Sequence, residues 1–261
     1  MFPKIPLLDH GYLQVVEAWG SDERIIEAAR MSTDKGFLGW EPGPCPVCIV
    51  SDTAQPNPEC RACEGRGKHR GDAHLLRYLY NNKHSTPFEF AGLVIEIKAP
   101  IMVFREWHRH RTQSYSEQSA RYTPLADENY LPSPERMLKG ALSAGANKQA
   151  GTIKDAPVLD LDSALAWQLE LAELYAHSER VYQSGLKRGV PKELARLALT
   201  VGRYTRMRAS ANLRNWLGFE TLRQAPNAQE EIRVYGDALN SQLESFFPRT
   251  LSIFNSERCG T

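Results

Sequence analysis

Residues 90–122 read FAGLVIEIKAPIMVFREWHRHRTQSYSEQSARY. The first half is rich in β-branched and aromatic residues, and Ile95 and Ile97 alternate with Glu96 and Lys98. A period of two with one apolar set marks a strand that buries a single face. Pro100 cannot donate to a sheet ladder, so the spacing predicts a bend or an edge there. The composition then turns cationic, which places the basic stretch where a strand runs into a helix. Arg109, Arg111, Arg121, His110, Glu117 and several hydroxyls fall within fourteen residues. That density suits a polyanion gripped along several polar edges. A solvated helix face or surface loop has the same composition, and this stretch alone does not separate the two.

Outward from there, residues 5–19 read as an opening strand. Ser21 or Asp22 can cap a helix through Ala29, with Glu23 in the first turn where the helix dipole favours an anion. From about Gly36 to Gly71 the texture changes to Gly, Pro and polar residues, and four of the five cysteines fall there. Residues 37–72 are therefore expected to be an insertion within a single 1–261 domain. A helix resumes over 74–81. Residues 132–161 predict an exposed, partly mobile loop. Asp162 is placed to cap a long helix through Ser184, with Leu165, Leu169, Ala172, Tyr175 and Ala176 on one stripe and Gly185 as its terminator. Pro191 fits the first position of the next helix, which carries Arg196. A final amphipathic helix is expected over 228–246. No internal repeat, regular β–α alternation, Gly-x-Gly-x-x-Gly loop or Walker loop is present. These signals predict an α+β fold, a mixed sheet with flanking helices.

The bulk numbers agree with a globular chain: 42% of its 261 residues are apolar, 24% are charged, and the net charge is +1. A neutral total argues against nucleic acid as a partner, because a duplex needs a broad basic surface. The charge is nevertheless uneven, with Arg105, Arg109, Arg111 and Arg121 in one segment and Arg196, Arg203, Arg206, Arg208, Arg214 and Arg223 in another. Local clusters of this kind suit a small phosphorylated ligand. No apolar run is long enough to cross a membrane and no leader is visible, so a cytoplasmic location is expected. Cysteines there are thiols or metal ligands rather than disulfides.

Cys45 and Cys48 form one Cys-x-x-Cys pair, and Cys60 and Cys63 a second. Two such turns can close a tetrahedron of thiolates around a structural Zn2+, although the eleven-residue separation is shorter than the commonest ribbon spacing. A redox pair or four unligated thiols are the other readings. Cys259 has no neighbouring base and reads as a tail thiol.

Arg109-His110-Arg111, followed after seven residues by Ser119, resembles the RHR-x7-S signature of flavin-dependent thymidylate synthases. EAARMS at 27–32, HSTPFEF at 84–90, APIMVFREW at 99–107, YLPSPER at 130–136, LARLAL at 194–199 and NLRNWLGFETLR at 212–223 are similar to segments of that family, in its order. The resemblance covers most of the chain apart from the cysteine insertion and residues 137–160. It implies the thymidylate synthase-complementing protein fold and a homotetramer whose FAD sites are built by several subunits. It also implies formation of dTMP from dUMP, with 5,10-methylenetetrahydrofolate giving the carbon and NADPH reducing the flavin. Thr86, Arg109, His110, Arg111, Glu117, Asn212 and Arg214 match flavin positions. Glu106, Arg109, Glu117, Gln118, Ser119, Ala120, Arg121, Arg196 and Arg223 match nucleotide positions.

Arg223 corresponds to the arginine held against the pyrimidine, where a fixed cation makes C5 a better nucleophile, and is the catalytic candidate. Ser119 has no adjacent base in the sequence and is assigned to binding.

The chain departs from the family pattern at several points. Glu106 stands where glutamine is common, Ser116 replaces an asparagine and Phe90 a histidine, and Gly218 and Asn227 differ from a relative's flavin-side residues. A carboxylate at position 106 only accepts hydrogen bonds. A local pair with Arg105 or Arg109, a rearranged site and an altered nucleotide all fit. Hydroxymethylation of dUMP or methylation of a related pyrimidine nucleotide is the alternative reaction, and a zinc-insertion binding module on a degenerate scaffold is the non-enzymatic one.

Overall fold

The computed structural model describes residues 2–142, 152 and 156–259. The chain opens with a hairpin, β1 (Ile5–Leu7) and β2 (Gly11–Trp19), where a single strand was expected. Helix α1 (Asp22–Arg30) follows, capped by Ser21, whose side chain accepts from Arg24 N. The cysteine-bearing segment contributes the short pair β3 (Gly43–Pro44) and β4 (Lys68–His69) before α2 (Asp72–Asn81).

Strand β5 (Gly92–Pro100) runs straight into α3 (Ile101–Trp107). The apolar run Ile101–Phe104 is thus helical; short apolar runs fit either state, and Pro100 ends the strand rather than bending it. Strand β6 (Ser114–Glu117) and α4 (Pro134–Leu142) come next. Residues 134–142 correct part of the expected loop, because Ser133 Oγ accepts from Arg136 N and starts a helix. The rest of that region, 143–151 and 153–155, lies outside the described residues.

Helix α5 (Leu161–Lys187) is capped by Asp160 rather than Asp162 and runs through Gly185. Its terminator is Gly189, at φ +80°. Val190 N donates to Gly185 O and Gly189 N to Leu186 O, the paired bonds of a Schellman turn. Helix α6 (Lys192–Ala195) has Pro191 as its cap and leaves Arg196 in the following turn. Strand β7 (Tyr204–Asn212), α7 (Leu213–Arg223), α8 (Glu230–Phe246) and α9 (Pro248–Cys259) complete the chain, and α9 is an addition to the expected set.

Five strands form one sheet in the order β1-β2-β5-β7-β6. Every pair in it is antiparallel, which corrects the expected mixed sheet to an antiparallel one within the α+β class. On the buried face Leu13, Val15, Leu93, Ile95, Ile97, Ala99, Met207, Ala209 and Ala211 pack with Phe104, Trp107, Trp216, Phe219 and Tyr235 from the helices. The other face is polar. Gln14 lies opposite Glu96, Glu96 opposite Arg208, and Lys98 opposite Arg206.

Asp22 shows how the helices are tied together. At 3% exposure its carboxylate accepts from Arg249 N at 2.8 Å, Thr250 N at 3.2 Å and Thr250 Oγ1 at 2.6 Å, so the start of α1 caps the start of α9. We expect Asp22→Ala to lower stability by about 1–3 kcal/mol, because buried donors lose their acceptor. The measurement is the denaturant midpoint; an unchanged midpoint would show that α9 is held by packing alone.

Candidate active site

A cavity of about 380 Å³ opens where β6 leaves the sheet. Its lining joins Glu117, Gln118, Ser119, Ala120 and Arg121 to Ile101, Leu125, Arg196, Leu199 and Thr205. The segment after β6 keeps its line because Gln118 N donates to Arg206 O at 2.8 Å. It then turns at Ser119, whose carbonyl accepts from Tyr122 N and Thr123 N. Lys192 Nζ donates to Tyr122 O at 2.8 Å and holds the turn against α6. Ser119 Oγ accepts from Arg121 N and Nε at 3.3 and 3.4 Å, which leaves a binding group and no activating base. Burial raises the Glu117 carboxyl above its usual range, against the opposing pull of His108.

The arginines sort by their partners. Arg203 is 1% exposed and spent on the fold, with Ala126 O, Asp127 and Glu179 as acceptors. Arg208 pairs with Glu96 and Arg214 with Glu89. Among the described residues no carboxylate pairs with Arg109, Arg111, Arg121 or Arg196. A guanidinium left without a counter-ion at a cavity is a standing anion site.

Arg223 belongs to a second cluster. Its Nε donates to His110 Nε2 at 2.9 Å, Nη1 to Glu106 Oε2 at 2.8 Å and Nη2 to Glu106 O at 2.9 Å. The ends of α3 and α7 meet through Trp107 and Phe219, 4.4 Å apart, with His110 over the same ring at 4.7 Å. Glu106 therefore finds a partner across the fold, and the local pair with Arg105 or Arg109, one of the three readings left open by the sequence, does not form among the described residues. Burial, and then the Arg223 charge, pull His110 from 6.5 to about 4. The imidazole is neutral at neutral pH, and Nε2 is the acceptor for Arg223.

Of the flavin-matched residues, Glu117 lines the first cavity and His110 stands with Arg223, while Thr86, Asn212 and Arg214 belong to neither. Thr86 opens the turn Thr86–Phe90, and Asn212 caps α7 by accepting from Asn215 N. Arg214 lines a cavity of about 140 Å³ with Tyr80, Lys83, His84, Ser85 and Phe88. Arg109 and Arg111 are exposed. Most of the nucleotide-matched residues thus share one cavity, while Glu106 and Arg223 stand beside His110 outside its lining. Sequence reading missed Thr205, Leu199 and Lys192, whose roles depend on β7 and α6 closing over the Ser119 turn.

An antiparallel α+β scaffold whose cavity guanidiniums meet no carboxylate among the described residues has the chemistry that suits a small phosphorylated molecule. The chain matches the model of the thymidylate synthase complementing protein family over residues 14–249, and it belongs to that family. It is 34% identical to a flavin-dependent thymidylate synthase of Gluconobacter oxydans, over 100% of this chain and 75% of the relative. The enzymes of that name from Rickettsia bellii and Thermus thermophilus are 32% and 33% identical, covering 100% and 96% of this chain and 81% and 77% of their own. Among solved structures, a UMP/dUMP methylase PolB from Streptomyces cacaoi bound with 5-Br dUMP is similar, with a TM-score of 0.72, 25% identity and 97% of both chains covered.

His110 sets a pH test. Between pH 6.5 and about 4 the unfolded chain takes up a proton that the folded imidazole refuses. Its contribution is complete above that window and is lost as the pH falls through it, on the order of 3 kcal/mol. The urea midpoint of the wild type should fall more steeply across this range than that of His110→Gln; parallel curves would remove the depressed imidazole from the account.

Proposed function

We infer that the chain carries out the reaction of its family. It is a flavin-dependent thymidylate synthase, a methyltransferase that makes dTMP from dUMP. The observation that carries this reading is the convergence of Glu117–Arg121 and Arg196, remote in sequence, on one cavity with two guanidiniums that have no carboxylate partner among the described residues. Arg121 and Arg196 take the nucleotide phosphate, Ser119 and Gln118 give hydroxyl and amide contacts, and the buried Ala120 keeps the turn close to the ligand.

The donor set fits FAD as well. Arg109 and Arg111 offer forks for its phosphates, and Thr86, His110, Glu117, Asn212 and Arg214 complete the set. Bound and reduced by NADPH, the flavin supplies the hydride that completes the methyl group, whose carbon comes from 5,10-methylenetetrahydrofolate. Arg223 is assigned to the pyrimidine. Three of its five N–H groups are held by His110 and Glu106, which fixes the fork and leaves two for the ring. With His110 neutral, Glu106 is the carboxylate that offsets the Arg223 charge among the described residues, and that charge is steady while negative charge grows on the base.

A homotetramer would let copies of the chain complete one another's sites, since the Arg121 and Arg214 cavities share no lining residue. Exposed Trp167, Leu169, Leu174 and Val181 on α5 offer apolar area for contacts between copies. Among the described residues no helix is long and apolar enough to cross a membrane. A second reading, methylation of a ribonucleotide, is favoured by Glu106 in place of glutamine and by the likeness to a methylase described with both UMP and dUMP.

The test is mass spectrometry of the nucleotide after incubation with methylenetetrahydrofolate and NADPH. We expect dUMP to gain one methyl group; an added oxygen would mean hydroxymethylation, and turnover of UMP alone would establish the second reading. Arg223→Ala should cut turnover by at least about 100-fold while the protein stays folded, in line with loss of a charge-stabilising donor. Arg109→Ala should instead weaken flavin and nucleotide binding together, read by equilibrium titration.

A further inference from the structure

Beyond the buried Leu38 and Phe37 and Trp40, which pack on the main core, the segment between α1 and α2 has almost no apolar interior. Its buried cluster is Cys45, Cys60 and Cys63, with Cys48, Ile49 and Ala62 against it. Its strands β3 and β4 are two residues each. A unit of this size buries too little surface to offset its own ordering and needs a staple.

The four sulfurs lie within 4.8 Å of one another. Cys45 and Cys60 are 3.9 Å apart and Cys48 and Cys63 3.6 Å apart, Sγ to Sγ. Ligands about 2.3 Å from a zinc ion stand about 3.8 Å apart at the corners of a tetrahedron, whereas a disulfide requires about 2.05 Å. The backbone is shaped for the same purpose. Ile49 N donates to Cys45 O at 2.8 Å and Gly65 N to Cys60 O at 3.2 Å, so each pair of sulfurs is turned to one side. Cys45 N donates to Gly67 O at 2.9 Å and joins the two turns. Gly67 N donates to Cys63 Sγ at 3.2 Å, the kind of outer contact that settles a thiolate ligand. Gly67 sits at φ +67°, and a Cβ there would stand 2.6 Å from Pro56 Cγ, so the turn requires glycine.

We propose that Cys45, Cys48, Cys60 and Cys63 hold a structural zinc ion on which residues 37–72 fold. Four thiolates leave no position for water or substrate, so the centre braces and does not catalyse. Zn2+ with four thiolates is a dianion. Lys35 and Arg61, paired with Glu64 and Asp34, line the opening of about 330 Å³ that also reaches Cys48 and Cys60, which gives the ion a way in. The brace is carried outward on both sides. Glu64, next to Cys63, takes Lys35 at 2.7 Å, and Gly39 O and Trp40 O accept from Asp72 N and Ala73 N at the start of α2.

Elemental analysis of the purified full chain should find about one zinc per chain. Cys48→Ala should bring that close to zero, while Cys48→His, which restores a nitrogen ligand, should keep it. Chelation should open residues 37–72 to limited proteolysis and leave the far-ultraviolet helix signal in place. Iron in place of zinc, two disulfides by intact mass, or a metal-free protein whose segment resists protease would each overturn the assignment.

Discussion

Leu93, Ile95, Ile97 and Ala99 leave β5 on one side and pack beneath the helices, and β5 is paired along both edges. A slip of one residue would put Val94, Glu96 and Lys98 into the core and the isoleucines into water, so the register has no freedom. That fixed strand positions the segments after it. Pro100 ends the ladder, α3 begins at the next residue, and Glu106 and His110 arrive beside the end of α7. The chain then returns as β6 on the far edge of the sheet and delivers residues 117–121 to the cavity. The site is thus an outcome of register.

Electrostatics then divides residues of one type between two purposes. Arg203 is enclosed and answered by carboxylates and a carbonyl, and breaking such a set would strand buried charge. Arg121 and Arg196, at the rim of the cavity, have no carboxylate among the described residues and keep their charge for a ligand. Arg223 is intermediate, held in place by Glu106 and a neutral His110 yet with donors to spare. The replacement of glutamine by Glu106 is thereby accommodated: the carboxylate meets a guanidinium and does not confront a phosphate uncovered.

Stability has two sources in this molecule. The sheet and its helices rest on a continuous apolar core. The segment between α1 and α2 gathers its cysteines with Ile49 and Ala62, and it is joined to the rest through Phe37 and Trp40, which pack on the main core, through Trp40 Nε1 donating to Glu23, and through Asp72 and Ala73 at the start of α2. Damage to one need not reach the other, which is how a chain can carry such a segment without disturbing the surfaces assigned to nucleotide and flavin.

Local pattern sufficed for the alternation of β5, a helix start at Ser21 or Asp22, the two Cys-x-x-Cys turns and the density of cations after Pro100, since each depends on neighbours a few residues away. The RHR-x7-S spacing likewise pointed to the family before any packing was considered. Sequence could not separate Arg203 from Arg196, pair Glu106 with Arg223, make the sheet antiparallel throughout, or end α5 at Gly189 instead of Gly185. Those outcomes depend on contacts between segments far apart in the chain, where burial and available partners override local preference, and only the folded chain brings such partners together.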